Sequence, residues 1–348
     1  MIQYSGNRHD ALCENTSVPC ENIHGKDVIA LFDLLSLAGL IPVIKVDRAQ
    51  DAVPLCSALS AGGLPVAEIT FRTAAAEEAI RLVHESLPDV LLGAGTVLTA
   101  EQADKAWAAG ARYIVSPGMN QRLVRHCVDR GYTILPGCSG PSDIEAALEL
   151  GLDTVKFFPA EASGGVAMIK ALLGPYHHIK FVPTGGVNEQ NLLDYLSIPS
   201  AIACGGSWML PNDAIAKGDW NRIEQLAADA VKLLLGFEIR HIGMNHQDAA
   251  KADESARKLS LLTGWKIQAD TPGSCFIGDG FELMKKQGRG QHGHIAIGTN
   301  NFARAKWHME RRGFAFDESS IALDTKGKPR LIYFKDEIGG FAFHLVQK

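Results

Sequence analysis

The sequence lacks the features that mark secreted, membrane-spanning and nucleic-acid-binding proteins. Its seven cysteines are an odd number scattered along 348 residues, which does not suit a framework of disulfide bonds. No apolar run approaches the length of a membrane span, and the start of the chain lacks the apolar core of a signal peptide. Positive charge is not in excess, because the formal net charge is -5. We therefore expect a cytoplasmic protein with no nucleic-acid or membrane partner.

The composition is that of a globular protein, with 46% hydrophobic and 21% charged residues. A chain of 348 residues is long for one domain, so one larger and one smaller domain are expected. The pattern of apolar and polar residues changes after Gly236. We predict a poorly ordered tail over residues 1–25, a first domain over residues 26–236 and a second over residues 237–348.

One lysine stands inside an apolar run that has the pattern of a buried strand. Lys156 lies in the segment Thr154–Pro159, and burying a charged amine is costly unless it is paired or loses its proton. A buried neutral lysine is a candidate nucleophile toward carbonyl substrates. The alternative is a lysine at a strand end whose long side chain reaches water. This segment alone leaves both interpretations open.

Short apolar runs alternate with helical patterns between Asp27 and Gly236, at the spacing of βα units. Eight evenly spaced runs favour a closed (βα)8 TIM barrel, an α/β fold, over a doubly wound open sheet. The predicted strands are Leu40–Val46, Val66–Phe71, Val90–Val97, Tyr113–Pro117, Thr133–Cys138, Thr154–Pro159, Lys180–Gly186 and Ala201–Ser207. The predicted helices include Asp27–Leu37, Ala74–Ser86, Ala100–Ala109, Gln121–Asp129, Ser142–Glu149 and Asp219–Leu235.

Polar residues collect where the second and sixth predicted strands end, and in barrels of this kind the C-terminal strand ends carry the active site. Glu68, Thr70 and Arg72 share one face of the second strand, because strand side chains alternate. If that face points inward, the barrel interior holds an acid, an arginine and Lys156. A structural network in which Glu68 neutralises Arg72 or Lys156 is the alternative.

Two glycine pairs follow the last two predicted strands, in Thr184-Gly185-Gly186 and in Gly205-Gly206-Ser207. Glycine lets backbone N–H groups approach an anion closely, and the loops after strands seven and eight often hold phosphate in this fold. Tight turns also use glycine pairs, so one pair alone would be weak evidence. Two pairs at adjacent strands predict a phosphate site.

Seven stretches of the predicted barrel match one enzyme family in their order along the chain. They are Ile41-Pro42-Val43-Ile44, Glu68-Ile69-Thr70-Phe71-Arg72-Thr73, Gly93-Ala94-Gly95-Thr96-Val97, Ser116-Pro117-Gly118, Val155-Lys156-Phe157-Phe158-Pro159-Ala160-Glu161, Pro183-Thr184-Gly185-Gly186 and Gly205-Gly206-Ser207-Trp208. With them the chain resembles the bacterial 2-dehydro-3-deoxy-phosphogluconate aldolases, which also act as 4-hydroxy-2-oxoglutarate aldolases. The resemblance implies a class I aldolase that needs no cofactor, binds a 2-oxo acid that is usually phosphorylated, and forms trimers.

The resemblance also implies a role for each matching residue. Lys156 matches the lysine that forms a Schiff base with the C2 carbonyl of a 2-oxo acid, a step that requires a neutral amine. Glu68 matches the general acid and base, and Arg72 matches the residue that binds the pyruvyl carboxylate, with Thr96 as a second donor. Thr184 matches a position near the hydroxyl-bearing carbons. The other matches line the site: Pro117 and Phe158 as walls, and Gly185, Gly186, Gly205, Gly206 and Ser207 around the phosphate.

The leading hypothesis is a lyase that cleaves 2-dehydro-3-deoxy-6-phosphogluconate to pyruvate and glyceraldehyde 3-phosphate, or 4-hydroxy-2-oxoglutarate to pyruvate and glyoxylate. Gly140 and Asp143 stand where the family usually carries threonine and glutamate, which leaves the substrate more open than the reaction. A 2-dehydro-3-deoxy-6-phosphogalactonate aldolase is the alternative with the same fold. A phosphosugar-binding protein, with a metal-dependent activity in its second domain, is the alternative from another class.

Residues 237–348 contain an internal repeat that predicts an α+β domain of two βαβββ units. His241-Ile242-Gly243-Met244 opens the first unit, and His294-Ile295-Ala296-Ile297 opens the second. The arrangement resembles the vicinal oxygen chelate, or glyoxalase-like, superfamily. Its ligand positions for a divalent metal fall on His241, Glu282, His294 and His344, the last of which is usually glutamate. The alternative is that these side chains line a polar sheet without binding a metal.

Overall fold

A computed structural model of the protein describes residues 26–348. The tail predicted over residues 1–25 lies outside the described residues. Within the described range, no helix combines the length and the apolar character that crossing a membrane requires. A parallel barrel comes first along the chain, and an eight-stranded sheet follows it.

Eight parallel strands form the barrel, and each is followed by one or more helices. The strands are β1 (Leu40–Ile44), β2 (Val66–Thr70), β3 (Leu91–Gly95), β4 (Tyr113–Val115), β5 (Ile134–Leu135 and Gly137–Cys138), β6 (Thr154–Phe157), β7 (Lys180–Pro183) and β8 (Cys204–Gly206). Every strand lies within its predicted range, because runs of buried apolar residues favour strands at this spacing. The predicted (βα)8 fold is confirmed.

The barrel closes through β1, which pairs in parallel with both β2 and β8. Between β7 and β8 the pairing consists of two isolated bridges, Phe181 with Ala201 and Thr184 with Gly205. Strand β5 is interrupted at Pro136, because proline has no N–H to donate to a neighbouring strand. Its first segment pairs with β4 and its second with β6, so the ring remains continuous.

Ten helices belong to the described part of the barrel: α1 (Lys26–Ala38), α2 (Ala52–Ala61), α3 (Ala76–Ser86), α4 (Ala100–Ala108), α5 (Gln121–Asp129), α6 (Pro141–Glu149), α7 (Gly165–Leu172), α8 (Leu192–Leu196), α9 (Asn212–Lys217) and α10 (Trp220–Leu235). Helix α1 leads directly into β1, and its Leu31 and Leu35 are buried with Tyr113 and Val115 of β4. Helix α1 therefore covers the N-terminal end of the barrel. The opposite end carries the residues that follow each strand.

The sheet after α10 is built from two βαβββ units, as predicted. The first unit contains β9 (Glu238–Asn245), α11 (Ala249–Thr263), β10 (Ile267–Asp270), β11 (Ser274–Ile277) and β12 (Phe281–Met284), and the second contains β13 (Gly293–Thr299), α12 (Phe302–Arg311), β14 (Phe316–Leu323), β15 (Pro329–Phe334) and β16 (Phe341–Gln347). In each unit the first strand pairs in parallel with the last, and β9 pairs with β13 antiparallel. The four central strands of the sheet are therefore β12, β9, β13 and β16.

One arginine connects this sheet to the N-terminal end of the barrel. Arg304 of α12 is 6% exposed, and its guanidinium donates to the carbonyl of Ser36 at 2.8 Å and to that of Ile202 at 2.7 Å. Ser36 lies in the last turn of α1, where the helix dipole favours a cation, and Ile202 precedes β8. Arg304 therefore holds the second sheet, α1 and the start of β8 together.

Replacing Arg304 is expected to destabilise the protein. Arg304→Ala removes the donors to two carbonyl groups, and an unsatisfied polar group costs about 1–3 kcal/mol. We expect the free energy of unfolding to fall by about 2–4 kcal/mol in urea denaturation followed by circular dichroism. Arg330→Ala is the control, because Arg330 is exposed on β15 and such substitutions change stability by less than about 0.5 kcal/mol. Equal urea midpoints for the two variants would contradict the proposed importance of this contact.

Candidate functional site

Lys156 and Glu68 meet inside the barrel. Lys156 lies in β6 and Glu68 in β2, which are four strands apart in a ring of eight, so the two side chains reach toward each other across the interior. The Nζ of Lys156 donates to Oε1 of Glu68 at 3.2 Å, and the two side chains are 6% and 3% exposed. A buried amine with a carboxylate within reach of proton transfer is the arrangement that a nucleophilic lysine requires.

Two glycines of β3 make room beside this pair. A Cβ on Gly95 would lie 2.2 Å from Oε1 of Glu68, and one on Gly93 would lie 2.2 Å from the ring of Tyr113. Burial, together with the charge of Glu68, raises the pKa of the Tyr113 phenol well above its usual value, so its hydroxyl stays protonated. Sequence reasoning missed Gly95 and Tyr113 as site residues. The available signal was a pair of glycines at alternate positions of one buried strand, which indicates close approach by another group.

The two predicted wall residues lie next to the lysine strand. Nζ of Lys156 lies 5.2 Å from the centroid of the half-buried Phe158 ring. A Cβ on Gly137 would lie 2.2 Å from the carbonyl oxygen of Pro117, and Gly137 pairs with Lys156 in the barrel. The structure therefore brings Phe158 close to the amine and Pro117 against the strand that pairs with β6.

Arg72 lies beyond the end of β2 rather than within it. The strand ends at Thr70, and Arg72 is an exposed residue of the following turn. The prediction that Arg72 shares a strand face with Glu68 and Thr70 is wrong, because the chain leaves the sheet before reaching it. Thr70 is buried, and its hydroxyl donates to the carbonyl of Ile44 at 2.8 Å.

Thr96 directly follows β3 in a left-handed backbone conformation, with φ of 54°. This conformation is unusual for a β-branched residue and costs on the order of 1–3 kcal/mol. Backbone strain of this kind collects at functional sites, where the surrounding structure maintains it. Thr96 follows Gly95, against which the carboxylate of Glu68 lies, so the strained residue stands at the edge of the buried pair.

The glycine pair after β7 presents backbone donors. Gly185 and Gly186 have φ of 96° and 85°, a region that glycine enters without strain. Within the part of the chain that the structure describes, their N–H groups donate no hydrogen bond. Successive unpaired N–H groups in such a turn form a concave site that suits an anion.

The second glycine pair lies beside the first. A Cβ on Gly205 would lie 2.4 Å from Oγ1 of Thr184, and one on Gly206 would lie 2.0 Å from the ring of Trp208. Both glycines are buried, and the exposed Ser207 follows them at the end of β8. The structure therefore brings Thr184 and both predicted phosphate loops together at the C-terminal edge of β7 and β8.

A family model described as KDPG and KHG aldolase matches residues 32–226, which is more than half of the chain. The chain belongs to this family. KDPG is 2-dehydro-3-deoxy-6-phosphogluconate, and KHG is 4-hydroxy-2-oxoglutarate. The resemblance inferred from seven short stretches is confirmed, and so is the reaction class: the protein is a class I aldolase, a lyase that works through a lysine Schiff base.

Three similar proteins each match the barrel but not the whole chain. The 2-dehydro-3-deoxy-phosphogluconate aldolase of Treponema pallidum is 49% identical over 207 residues, which are 60% of this chain and 99% of that protein. The KDPG aldolase of Legionella pneumophila, crystallised with pyruvate captured as a covalent carbinolamine intermediate, is 40% identical with a TM-score of 0.56, over 58% of this chain and 97% of that chain. The aldolase of Zymomonas mobilis, crystallised with 3-phosphoglycerate, is 39% identical with a TM-score of 0.55. The match covers 59% of this chain and 95% of that chain. This aldolase therefore carries an additional portion that these relatives lack.

The four predicted metal ligands of this aldolase lie on one face of the central strands of the second sheet. They are His241 on β9, Glu282 on β12, His294 on β13 and His344 on β16. Nε2 of His294 is 3.1 Å from Nε2 of His241 and 3.1 Å from Oε2 of Glu282. Nε2 of His241 lies 3.4 Å from Oε2 of Glu282. The ligand atoms of the three histidines lie within 4.8 Å of one another. A metal at about 2.0–2.1 Å from each donor would separate neighbouring donors by about 3.0–3.4 Å, and the separations among His241, His294 and Glu282 fit that range.

The charge states of Glu282 and His344 also suit a metal. Burial opposes ionisation of Glu282, but hydrogen bonds from His241, His294 and Ser274 outweigh it and hold the pKa of the carboxyl well below its usual range. Burial and repulsion from the other two histidines lower the pKa of His344 to about 3, so its ring is neutral at pH 7. The buried Nδ1 of His344 has no hydrogen-bond partner among the described residues. A carboxylate and neutral imidazoles are the forms that bind a metal.

Proposed function

We propose that the barrel cleaves KDPG to pyruvate and glyceraldehyde 3-phosphate, and KHG to pyruvate and glyoxylate. The observation that carries this proposal is the buried pair of Lys156 and Glu68, 3.2 Å apart in a barrel of the KDPG and KHG aldolase family. The unpaired N–H groups of Gly185 and Gly186 support a phosphorylated substrate. A phosphorylated substrate is also supported by the crystal structure of the Zymomonas mobilis aldolase with 3-phosphoglycerate.

The reaction begins when Nζ of Lys156 attacks C2 of the 2-oxo acid. Glu68 moves the proton that the attached nitrogen releases to the C2 oxygen, which becomes a hydroxyl group. A second proton, taken up from solvent through Glu68, converts that hydroxyl to water, which leaves. The product of these steps is a protonated Schiff base. Its nitrogen can accept the electron pair that is released when the bond between C3 and C4 breaks.

Cleavage follows when Glu68, ionised again, removes the proton of the C4 hydroxyl. The bond between C3 and C4 breaks, the C4 fragment leaves as an aldehyde, and the electron pair moves to the nitrogen of the Schiff base. Return of a proton to C3 gives the Schiff base of pyruvate, which water hydrolyses to free the lysine. One carboxylate serves every transfer because it alternates between its two protonation states.

The other residues orient the substrate. Arg72 and Thr96 bind the carboxylate at the ends of β2 and β3, where a planar guanidinium can form paired hydrogen bonds. Thr184 lies near the hydroxyl-bearing carbons. Pro117 and Phe158 form walls of the proposed substrate site. The phosphate is surrounded by Gly185, Gly186, Gly205, Gly206 and Ser207.

The proposal is tested by measuring pyruvate release from KDPG, its galactonate epimer and KHG. Borohydride reduction in the presence of pyruvate, followed by peptide mass mapping, is expected to add mass at Lys156. Faster release from the epimer would identify a 2-dehydro-3-deoxy-6-phosphogalactonate aldolase instead. No release and no added mass would favour a phosphosugar-binding protein.

A second candidate function lies in the four-ligand cluster of the second sheet, which we propose binds a divalent transition metal as in the vicinal oxygen chelate superfamily. Three imidazoles and one carboxylate prefer such ions over Mg²⁺ or Ca²⁺. The unpartnered, buried Nδ1 of His344 supports this assignment. When bound, the metal would supply a Lewis acid for oxygen ligands. The chain would hold it through His241, Glu282, His294 and His344.

We expect calorimetric titration of Zn²⁺ to show one site that depends on His294. Removing a residue that only hydrogen-bonds to a metal ligand typically lowers the metal affinity by about 10- to 100-fold. His294 is proposed as a ligand itself, so His294→Ala should weaken Zn²⁺ binding by at least that factor. His292→Ala is the control, because His292 is an exposed histidine of the same sheet region. Wild-type protein that takes up no Zn²⁺, or an equal loss in both variants, would leave the polar-lined sheet as the better interpretation.

The proposal also includes the domain boundaries, the cellular location and the oligomeric state. The division into domains at residues 26–236 and 237–348 is supported by α10, which ends at Leu235 before β9 begins. A cytoplasmic location is supported by five buried cysteines that form no disulfide in the described residues. A trimer is expected from the family, and light scattering of the intact protein would measure it.

A further inference from the structure

We propose that Asn191, with Asn188 beside it, positions a third backbone donor, the N–H of Val187, in the phosphate site after β7. This inference rests on the proposed cleavage of a phosphorylated substrate and identifies residues that adapt the loop to the phosphate. The two asparagines act through the backbone of Gly186 and are positioning residues.

The carbonyl groups of the loop are all used inside the protein. The oxygen of Thr184 accepts from the N–H of Ala160 at 2.8 Å, and the oxygen of Gly185 accepts from the N–H of Glu161 at 3.0 Å. Both donors belong to the segment that follows β6. The loop after β7 is therefore held against the strand that carries the candidate nucleophile.

The carbonyl of Gly186 is held by two side chains. Nδ2 of Asn188 and Nδ2 of Asn191 each donate to it at 3.1 Å. Oδ1 of Asn191 in turn accepts from the N–H of Asn188 at 2.8 Å, and Oδ1 of Asn188 accepts from the N–H of Gln190 at 2.8 Å. Because each amide is engaged at both ends, the direction of the Gly186 carbonyl is fixed.

These contacts separate the acceptors of the loop from its donors. In a trans peptide the N–H points away from the preceding carbonyl, so an anchored carbonyl also sets the direction of the next N–H. The carbonyls of Thr184, Gly185 and Gly186 thus orient the N–H groups of Gly185, Gly186 and Val187. None of these three N–H groups donates a hydrogen bond within the described residues. Three consecutive donors with no competing carbonyl suit a phosphate.

The asparagines are needed because glycine does not select this arrangement by itself. Gly186 has φ of 85°, and a glycine can rotate the following peptide at low cost. A rotated peptide would direct the Gly186 carbonyl toward the phosphate and the N–H of Val187 away from it. The two amide donors select the orientation that binds an anion.

Two substitutions at one position separate the donor from the space it fills. Asn191→Ala removes both hydrogen bonds of the side chain, whereas Asn191→Asp keeps the acceptor for the N–H of Asn188 and places a carboxylate oxygen next to the carbonyl of Gly186. We expect KM for KDPG to rise about tenfold in Asn191→Ala and further in Asn191→Asp, with kcat within twofold. The KM for KHG, which has no phosphate, should change by less than about twofold.

Gln190→Ala is the matched control, because Gln190 is exposed and its side chain bonds to Glu189 alone among the described residues. It should leave both KM values within twofold of wild type. Should an Asn191 variant fail to fold by circular dichroism, Asn188→Ala removes the other amide donor and carries the same expectation. Unchanged KM for KDPG, or an equal rise for KHG, would overturn the inference.

Failure of the proposed function would be recognised separately, because the wild type would then cleave neither substrate. In that case calorimetric binding of 3-phosphoglycerate measures the loop directly. Binding about tenfold weaker in Asn191→Ala than in wild type supports the positioning role. Equal affinity, or no binding to either protein, rejects it.

Discussion

Lys156→Met is expected to lower the rate of KDPG cleavage on the order of 10⁴-fold or more, since removal of a covalent nucleophile eliminates the catalysed route. Methionine fills a similar volume with an unbranched apolar side chain, so the barrel interior stays occupied. Pyruvate release in a coupled assay measures the rate. Borohydride reduction with pyruvate should add no mass to this variant.

The variant leaves Glu68 buried without its partner, and circular dichroism and a urea midpoint must accompany the rates. Lys180→Met is the matched control, because Lys180 lies in the adjacent strand β7 with an exposed side chain paired to Asp153. It should retain activity within about twofold, as expected for a surface ion pair of little energetic weight. A folded Lys156→Met protein that keeps substantial activity would exclude the Schiff-base assignment to this lysine.

Glu68→Gln is expected to reduce kcat by about 10²- to 10⁴-fold, the usual contribution of a positioned general acid and base. Glutamine keeps the size of the side chain, which matters because a Cβ on Gly95 would lie only 2.2 Å from Oε1 of Glu68 and the space there is filled. The substitution removes the proton-transferring group while the amine of Lys156 remains. Slow mass addition at Lys156 with pyruvate and borohydride should therefore persist.

The same variant decides between the two roles that the sequence left open for Glu68. If Glu68 only formed a structural ion pair with Lys156, the amine would still attack the substrate without it, and a folded variant would keep its activity. A large loss of kcat with retained folding therefore identifies proton transfer. Glu78→Gln is the control, because Glu78 forms an exposed ion pair with Arg81 on α3. A similar loss in both variants would reject the specific role of Glu68.

The residue pattern predicted most of the fold. Each of the eight barrel strands lies within the range expected from the sequence, because buried runs and helical periodicity are local properties of the chain. The wrong prediction for Arg72 also comes from relying on a local pattern. Alternation describes a strand only while the chain stays in the sheet, and the local pattern does not show that β2 ends at Thr70.

The sequence by itself therefore determined the order of the strands and helices, the family of the barrel and the residue types available for its chemistry. Tertiary structure alone decided which residues meet. Lys156 and Glu68 are 88 positions apart, and closure of the ring brings them to 3.2 Å. The contacts of Arg304 with Ser36 and Ile202 span still longer separations. Local propensity acts over a few residues, whereas contacts of this kind depend on the path of the whole chain, which the packing of the core selects.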